Sequence, residues 1–132
     1  MKLGPVDHIT LNVFDMKAAV DFYKKLGMQR EGSLDNDDIV FLWNGDEEQS
    51  LHIQLDQVHG DMKPGLNHIA FTMPDLEEAA KAIKEVGIEG RHDPFYAPRS
   101  GRTIFTIRDP DGVDLQFARK DGRGEYEEHG EE

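Results

Sequence analysis

Two stretches of the chain, sixty positions apart, share one pattern of apolar and polar positions. HITLNVFDMKAAVDFYKKLGM, which starts at His8, aligns without a gap over HIAFTMPDLEEAAKAIKEVGI, which starts at His68. A period this long that occurs only twice is not typical of a solenoid. It indicates a duplicated supersecondary unit.

Each copy opens with a strand and continues into a helix. In the first copy, apolar side chains alternate with polar ones from His8 to Val13, and a period of two predicts a half-buried strand. Helical spacing follows, with Asp15 as the N-cap and Gly27 where a helix end favours positive φ. In the second copy the same positions are occupied by His68, Asp75 and Gly87.

Three further strands are predicted after each helix, separated by turn residues such as Asn44-Gly45 and Asp109-Pro110-Asp111-Gly112. They lie near Gln29–Ser33, Ile39–Trp43 and Leu51–Leu55 in the first copy, and near Gly90–His92, Thr103–Ile107 and Val113–Phe117 in the second. The sequence therefore predicts an α+β fold of two βαβββ repeats, at about residues 5–57 and 66–118. They would form a curved mixed β-sheet with the helices outside, in one domain over residues 1–119.

Composition narrows the class of protein. The 132 residues include 15 basic and 27 acidic ones, so the formal charge is 15 − 27 = −12, which disfavours nucleic acid and anionic membranes as partners. No apolar run approaches a membrane span or the core of a signal peptide. Cysteine is absent, which excludes disulfides and thiolate chemistry and fits a cytoplasmic protein. Residues 120–132, dense in charge and glycine, are predicted to be an acidic, disordered tail.

Four predicted strands hide one apolar face and keep a polar face. One face of an antiparallel sheet is often simply solvated. These polar positions, however, hold residue types that coordinate metals or orient small ligands, and two histidines occupy equivalent positions of the duplicated unit. The four faces carry His8, Thr10 and Asn12; His52, Gln54 and Asp56; His68, Ala70 and Thr72; and Asp114, Gln116 and Ala118.

These residues resemble the vicinal oxygen chelate superfamily, also called the glyoxalase, bleomycin-resistance and type I dioxygenase family. The similarity spans about residues 5–118 and is carried by four motifs: Asp7–Val13, Ala19–Met28, Asn67–Phe71 and Arg108–Gly112. The resemblance implies the repeated βαβββ fold. It does not select an activity, because members include lyases, isomerases, ring-cleaving dioxygenases, drug-modifying transferases and drug-sequestering binders.

In metal-dependent members of that family, each repeat supplies one ligand from its first strand and one from its fourth. Transferred to this chain, the resemblance implies His8 and His68 from the first strands, and Gln54 and Gln116 from the fourth. Gln116 departs from the pattern, because the family usually has a glutamate there that ligates the metal and acts as the base. Glutamine offers a neutral oxygen and cannot take up a proton. With a shift of two residues, the substitute ligands are Asp114, Asp56 and His52.

Two functions follow from the resemblance. The first is an enzyme, a lyase, isomerase or dioxygenase, in which a divalent ion (Zn, Ni, Mn or Fe) binds the vicinal oxygens of a small substrate and His52 or Asp114 is the base. The second is a metal-free protein that sequesters a cationic drug in an acidic groove, with Trp43 and Phe41 as stacking surfaces or as core residues. A protein with either function is expected to be a homodimer, and the metal content of the purified protein distinguishes the two functions.

The loop from His92 to Arg102 is the irregular stretch most typical of a functional loop. Its Tyr96, Arg99 and Arg102 offer hydrogen-bond donors for an oxyanion. Alternatively, the two arginines only offset the local acidity.

Overall fold

The structure, a computed structural model, describes residues 1–128 and the side chains of residues 1–126. The elements follow the order predicted from the repeat. They are β1 (Val6–Val13), α1 (Met16–Lys25), β2 (Gln29–Leu34), β3 (Ile39–Trp43), β4 (His52–Gln57), β5 (Gly65–Thr72), α2 (Leu76–Glu85), β6 (Phe95–Ala97), β7 (Arg102–Arg108), β8 (Asp114–Lys120) and a 3-10 helix (Glu125–Glu128). No helix in this part of the chain has the length and apolar character needed to cross a membrane.

Both helices begin and end as the sequence predicts. The side chain of Asp15 accepts a hydrogen bond from the Ala18 amide at 3.1 Å, and that of Asp75 accepts one from the Glu78 amide at 2.9 Å. Each helix is followed by a glycine with positive φ, 94° at Gly27 and 83° at Gly87. The two helices are therefore set by the same local chemistry.

The chain forms two compact units. The first unit contains His8–Asn67 together with the C-terminal segment from Glu125, and the second contains Met1–Asp7 and His68–Gly124. In the first, the strands lie in the order β2-β3-β4-β1, with β1 parallel to β4 and the other neighbours antiparallel. In the second, the order is β5-β8-β7-β6, with β5 parallel to β8. The predicted α+β fold of mixed βαβββ units is confirmed.

Each unit packs one apolar strand face against its own helix. In the first unit, Leu11, Val13 and Ile53 pack on a core that includes Val20 of α1 and Leu55 of β4. In the second, the corresponding core consists of Met73, Leu76, Ala79, Ile83, Phe105, Ile107 and Phe117. Because side chains alternate along a strand, the faces that carry the predicted site residues turn away from the helices.

One strand lies elsewhere than predicted. The strand expected near Gly90–His92 begins only at Phe95, where β6 pairs with β7 through Phe95 and Ile104. Pro94 cannot donate a ladder hydrogen bond, and the His92 ring bonds the Thr106 hydroxyl at 3.0 Å. Regular pairing therefore starts after the proline.

The C-terminal segment also differs from the prediction. β8 extends to Lys120, and Tyr126, in the 3-10 helix, is only 3% exposed and stacks on Phe41 with ring centroids 3.8 Å apart. The stacking on Phe41 thus buries the aromatic ring of a segment that composition describes as solvated. Residues 129–132 of the predicted tail lie outside the described residues.

Candidate functional site

The first unit exposes aromatic and polar side chains on the sheet face opposite α1. Val40 and Leu42 of β3 are fully buried in the core, so Phe41 and Trp43 between and beside them lie on the other face. In the antiparallel register of β3 and β4, Phe41 pairs with Gln54 and Trp43 pairs with His52. Two predicted site residues therefore lie beside aromatic rings.

His52 is held by a carboxylate and an indole. Its Nδ1 lies 2.9 Å from Oε1 of Glu31, and the two side chains are 27% and 25% exposed. The Trp43 ring stacks on the imidazole with centroids 5.9 Å apart. A carboxylate on Nδ1 favours the tautomer with its proton there and leaves Nε2 able to accept one. Glu31 and Trp43 thus set the orientation of the His52 ring.

Gln54 is oriented by the acid two residues further along β4. Its Nε2 donates a hydrogen bond to Oδ1 of Asp56 at 2.8 Å. The carbonyl oxygen, Oε1, is then the atom of the amide that can serve a metal or a substrate. In the parallel register of β1 and β4, Gln54 pairs with the buried Thr10. Ile9 pairs with Ile53, so the preceding His8 lies at the level of His52 rather than of Gln54.

In the second unit, the first and fourth strands pair in the same register as in the first unit, but their site residues have different neighbours. His68 pairs with Asp114 and Ala70 pairs with Gln116 in the parallel register of β5 and β8. Oδ2 of Asp114 accepts from Nη1 of Arg91 at 2.9 Å, and Oδ1 accepts from Nε of Arg108 at 3.2 Å. Because both carboxylate oxygens already serve guanidinium groups, Asp114 is less suited than His52 to take a proton from a substrate.

The predicted site residues therefore fall into two matched sets. His52 and Asp114 occupy equivalent places beside the first-strand histidines, and Gln54 and Gln116 follow two residues later. All six are half-buried, so neither face is simply solvated: His8, His52, Gln54, His68, Asp114 and Gln116. Over residues 1–126, no three or more His, Asp or Glu side chains are grouped in a way that would hold a metal ion. The set predicted to bind one contains only neutral donors, two imidazoles and two amide oxygens.

The loop arginine at the start of β7 has a structural partner. Nε of Arg102 donates to Oδ2 of Asp7 at 2.6 Å, and Nη1 donates to the Ser100 carbonyl at 3.0 Å. Its side chain is 10% exposed. These contacts commit the guanidinium to the protein itself, in contrast to the oxyanion role considered for it from the sequence.

The partners of His52 and Asp114 were not identified by sequence reasoning. Glu31 lies at a register shift in β2, between Arg30 and Gly32, so its face could not be assigned by counting alternate residues. Arg91 lies in the loop after α2, where no periodicity applies. A signal did exist for Arg108, because it lies in the motif that carries the family resemblance.

Comparisons with known proteins agree with this architecture. A family model described as the Glyoxalase/Bleomycin resistance protein/Dioxygenase superfamily matches residues 6–117. The lactoylglutathione lyase of Escherichia coli O157:H7 is 27% identical over 128 residues, covering 89% of this chain and 93% of the relative. A probable trivalent organoarsenical cleaving enzyme of Bacillus subtilis strain 168 is 29% identical over 121 residues, covering 83% of this chain and 76% of the relative.

A solved structure provides the match in fold. A single-substitution variant of the methylmalonyl-CoA epimerase of Streptomyces coelicolor, bound to 2-nitronate-propionyl-CoA, superposes with a TM-score of 0.72 at 22% identity. The superposition covers 90% of this chain and 96% of the epimerase. With the family match over residues 6–117, the resemblance noted in the sequence is confirmed. The chain belongs to the glyoxalase/bleomycin resistance protein/dioxygenase superfamily.

Proposed function

We propose that this protein is a metal-dependent enzyme of the lyase or isomerase type that moves a proton on a small, oxygen-chelating substrate. The observation that carries the proposal is the pair of His52 and Glu31 on the strand face that also bears Gln54. A ligand-binding protein needs no histidine whose tautomer is set by a carboxylate. The lyase and epimerase names of the relatives support the same class of reaction.

The metal would be held by His8 and Gln54 of one repeat and by His68 and Gln116 of the other, within one chain or across a homodimer. Imidazole suits Zn, Ni and Fe, and the Gln54 amide, already turned by Asp56, can supply an oxygen. When bound, the ion would act as a Lewis acid on the substrate oxygens. The absence of a carboxylate from this set favours a weak site.

The base would be His52. Its Nε2 would accept the proton while Glu31 stabilises the imidazolium that forms, as a carboxylate does in other histidine-acid pairs. Trp43, stacked on the ring, limits how far the imidazole can turn. Asp114 is not the base in this mechanism, because Arg91 and Arg108 engage its oxygens.

A metal-free binding protein is the second candidate, and one observation favours it. Trp43 lies on the polar face and outside the core, and its ring can stack on a ligand, whereas Phe41 on the same face is already stacked on Tyr126. The attraction for a cation is weaker than the net charge suggests, since Asp114 is paired with two arginines. This candidate leaves the His52 and Glu31 pair without a role.

Metal affinity tests the proposed site. Calorimetric titration of the protein with Zn²⁺, Ni²⁺ and Mn²⁺ should give tighter binding for Gln116→Glu, because an anionic oxygen replaces a neutral one in a half-buried position. Gln49→Glu, in an exposed loop, adds the same charge away from the site and should change nothing. Equal or weaker affinity in the Gln116 variant would remove Gln116 from the ligand set and favour the binding protein.

Proton exchange tests the base. We expect deuterium from the solvent to enter lactoylglutathione or methylmalonyl-CoA, the compounds that appear in the relatives' names, when the metal-loaded protein is added. His52→Asn should lower the rate by about two orders of magnitude or more, and Glu31→Gln by less. Exchange that is unaffected by His52→Asn would exclude this residue as the base.

A further inference from the structure

Two arginines of the second unit converge on one carboxylate. Nη1 of Arg91 donates to Oδ2 of Asp114 at 2.9 Å, and Nε of Arg108 donates to Oδ1 at 3.2 Å. Neither guanidinium has another polar partner within residues 1–126. In a chain with a formal charge of −12, this cluster, the arginine pair, therefore places two positive charges around a single negative one.

The sheet holds both members of the arginine pair in place. Arg108 is the last residue of β7 and pairs with Asp114 in the antiparallel register of β7 and β8. Arg91 lies in the loop after α2, but its amide donates to the Thr106 carbonyl of β7 at 2.9 Å. Thr106 in turn pairs with Gln116. The two arginines are therefore anchored at the level of the predicted site residues of β8.

Most N–H groups of the arginine pair remain available to a ligand. A guanidinium has five N–H donors. Arg108 uses only its Nε for Asp114, and Arg91 uses only its Nη1. The side chains of Arg108 and Arg91 are 55% and 42% exposed, whereas that of Asp114 is 26% exposed. Solvent therefore reaches the two guanidinium groups more readily than it reaches the acid that holds them.

The equivalent positions of the first unit carry a different chemistry. The register that joins Arg108 to Asp114 in the second unit joins Trp43 to His52 in the first. The group that contacts His52 is the carboxylate of Glu31, whereas the loop contact of Asp114 is a guanidinium. One repeat thus has an acid and an imidazole, and the other has charged donors in the planar arrangement that matches oxyanions.

We propose that the arginine pair binds an oxyanion of the substrate, a carboxylate or a phosphate, while Asp114 fixes the two guanidinium groups. A guanidinium presents parallel N–H donors that fit both kinds of oxyanion, and the excess of positive charge in the cluster favours a negative ligand. The substrate class is then an anionic compound. The proposal rests on the proposed function only in taking this strand face as the ligand face.

NMR titration of the unmodified protein tests the arginine pair. We expect the Nε–Hε signals of Arg91 and Arg108 to shift and saturate with sodium phosphate or sodium malonate, with sodium chloride keeping the ionic strength constant. Saturation by only one of the two salts identifies the kind of oxyanion. The signals are assigned by their loss from Arg91→Gln and Arg108→Gln.

Each of these two variants should bind the anion about three- to tenfold more weakly, because one charged donor group is lost at a partly exposed position. The signal of the remaining arginine measures the affinity. Arg30→Gln, the matched control, removes a guanidinium that is paired with Asp37 in the first unit and should leave the affinity unchanged.

Shifts that do not saturate, or an affinity that is the same in both variants as in the parent, would overturn the proposal. Arginines that only hold β8 in place would lower the stability of the variants on removal without any saturable binding of anions. Zn²⁺ titration in phosphate-free buffer keeps the two proposals apart. Anion binding without metal binding supports the arginine pair and contradicts the metal site, and metal binding without anion binding refutes the anion site alone.

Discussion

At the scale of single residues, the ion pair of Arg102 and Asp7 shows how burial decides what a charged side chain does. Nε of Arg102 lies 2.6 Å from Oδ2 of Asp7, and the two side chains are only 10% and 17% exposed. The pair joins Asp7, at the start of β1, to the start of β7 within the second unit. Charges this far from water need a partner, because an unpaired buried charge is costly.

Replacing Arg102 by alanine should destabilise the protein by about 3 kcal/mol, because Asp7 then loses its guanidinium while it stays largely buried. Urea unfolding at pH 7 measures the change. Lys17→Ala breaks a pair whose side chains are 88% and 55% exposed, and it should change the free energy of unfolding by less than about 0.5 kcal/mol. Similar losses in the two variants would show that burial does not set the strength of the Arg102 pair.

At the scale of elements, a tight turn joins β6 to β7. Gly101 has a φ of +72°, in the left-handed region, and a Cβ added there would collide with the backbone of Gly122. Its carbonyl also accepts hydrogen bonds from the amides of Asp121 and Gly122, both at 2.9 Å. The turn thus combines a left-handed backbone conformation, which glycine adopts without strain, with a close approach of two chain segments.

Comparing Gly101→Ala with Gly60→Ala separates the cost of the left-handed backbone from the cost of the close approach to Gly122. Gly60 also has positive φ, +56°, but a Cβ there meets only open space. We expect Gly60→Ala to lower the free energy of unfolding by about 1 kcal/mol, the strain of the left-handed backbone alone. Gly101→Ala should cost at least about 1 kcal/mol more, because the Gly122 backbone must move. Equal costs in urea unfolding would contradict the close approach.

Another link between elements depends on pH. Arg119 of β8 donates to Asp121 at 3.0 Å and to Glu77, in the first turn of α2, at 3.1 Å. Hydrogen bonds from the guanidinium lower the pKa of Glu77 below its usual 4.5. They also lower the pKa of Asp121 below its usual 3.8, with a further contribution from the Thr103 hydroxyl. Lowered acid pKa values stabilise the fold above the unfolded values, and this contribution is lost as the pH falls through the folded ones.

Arg119→Gln should therefore be less stable than the parent protein at pH 7, and the difference should shrink as the pH falls below the ordinary values of 4.5 and 3.8 and these carboxyls become protonated. Urea unfolding at a series of pH values measures both proteins. Lys25→Gln, at the exposed end of α1, removes the same charge and should show no such convergence. A difference that is constant or grows toward low pH would contradict the assignment.

At the scale of the whole molecule, the protein is a small acidic chain with several exposed apolar side chains. Phe14, Leu26 and Val86 are 72%, 67% and 72% exposed. Exposed apolar side chains contribute to an interface where they lie together, and repeats of about fifty residues each bury only small cores. Both features favour association, as the family resemblance also implies.

We predict a homodimer in solution. Sedimentation at micromolar concentration should give a species of twice 15.0 kDa, and the melting temperature should rise with protein concentration because assembly stabilises the folded state. A single species of 15.0 kDa whose melting temperature does not depend on concentration would refute the prediction. The cytoplasmic location and the absence of nucleic acid partners stay predictions from composition and charge.

The architecture could be predicted from the sequence because the signals for it are local. Strand alternation, the caps at Asp15 and Asp75 and the glycines that end both helices depend on neighbours within four residues, and the repeat displayed them twice. The same alternation assigned His8, Gln54, His68 and Gln116 to the faces that turn away from the helices. One strand was misplaced where Pro94 delays the pairing of β6 with β7.

The contacts of those side chains, in contrast, arise from the way in which the whole chain packs. Glu31 reaches His52 across 21 positions through an irregular strand register, and Asp7 reaches Arg102 across 95. Tyr126, whose surroundings in sequence are charged, is buried because Phe41 offers it a flat apolar surface. Such pairings depend on register, bulges and the path of the chain, which are properties of the packed molecule and leave no periodic pattern in the sequence.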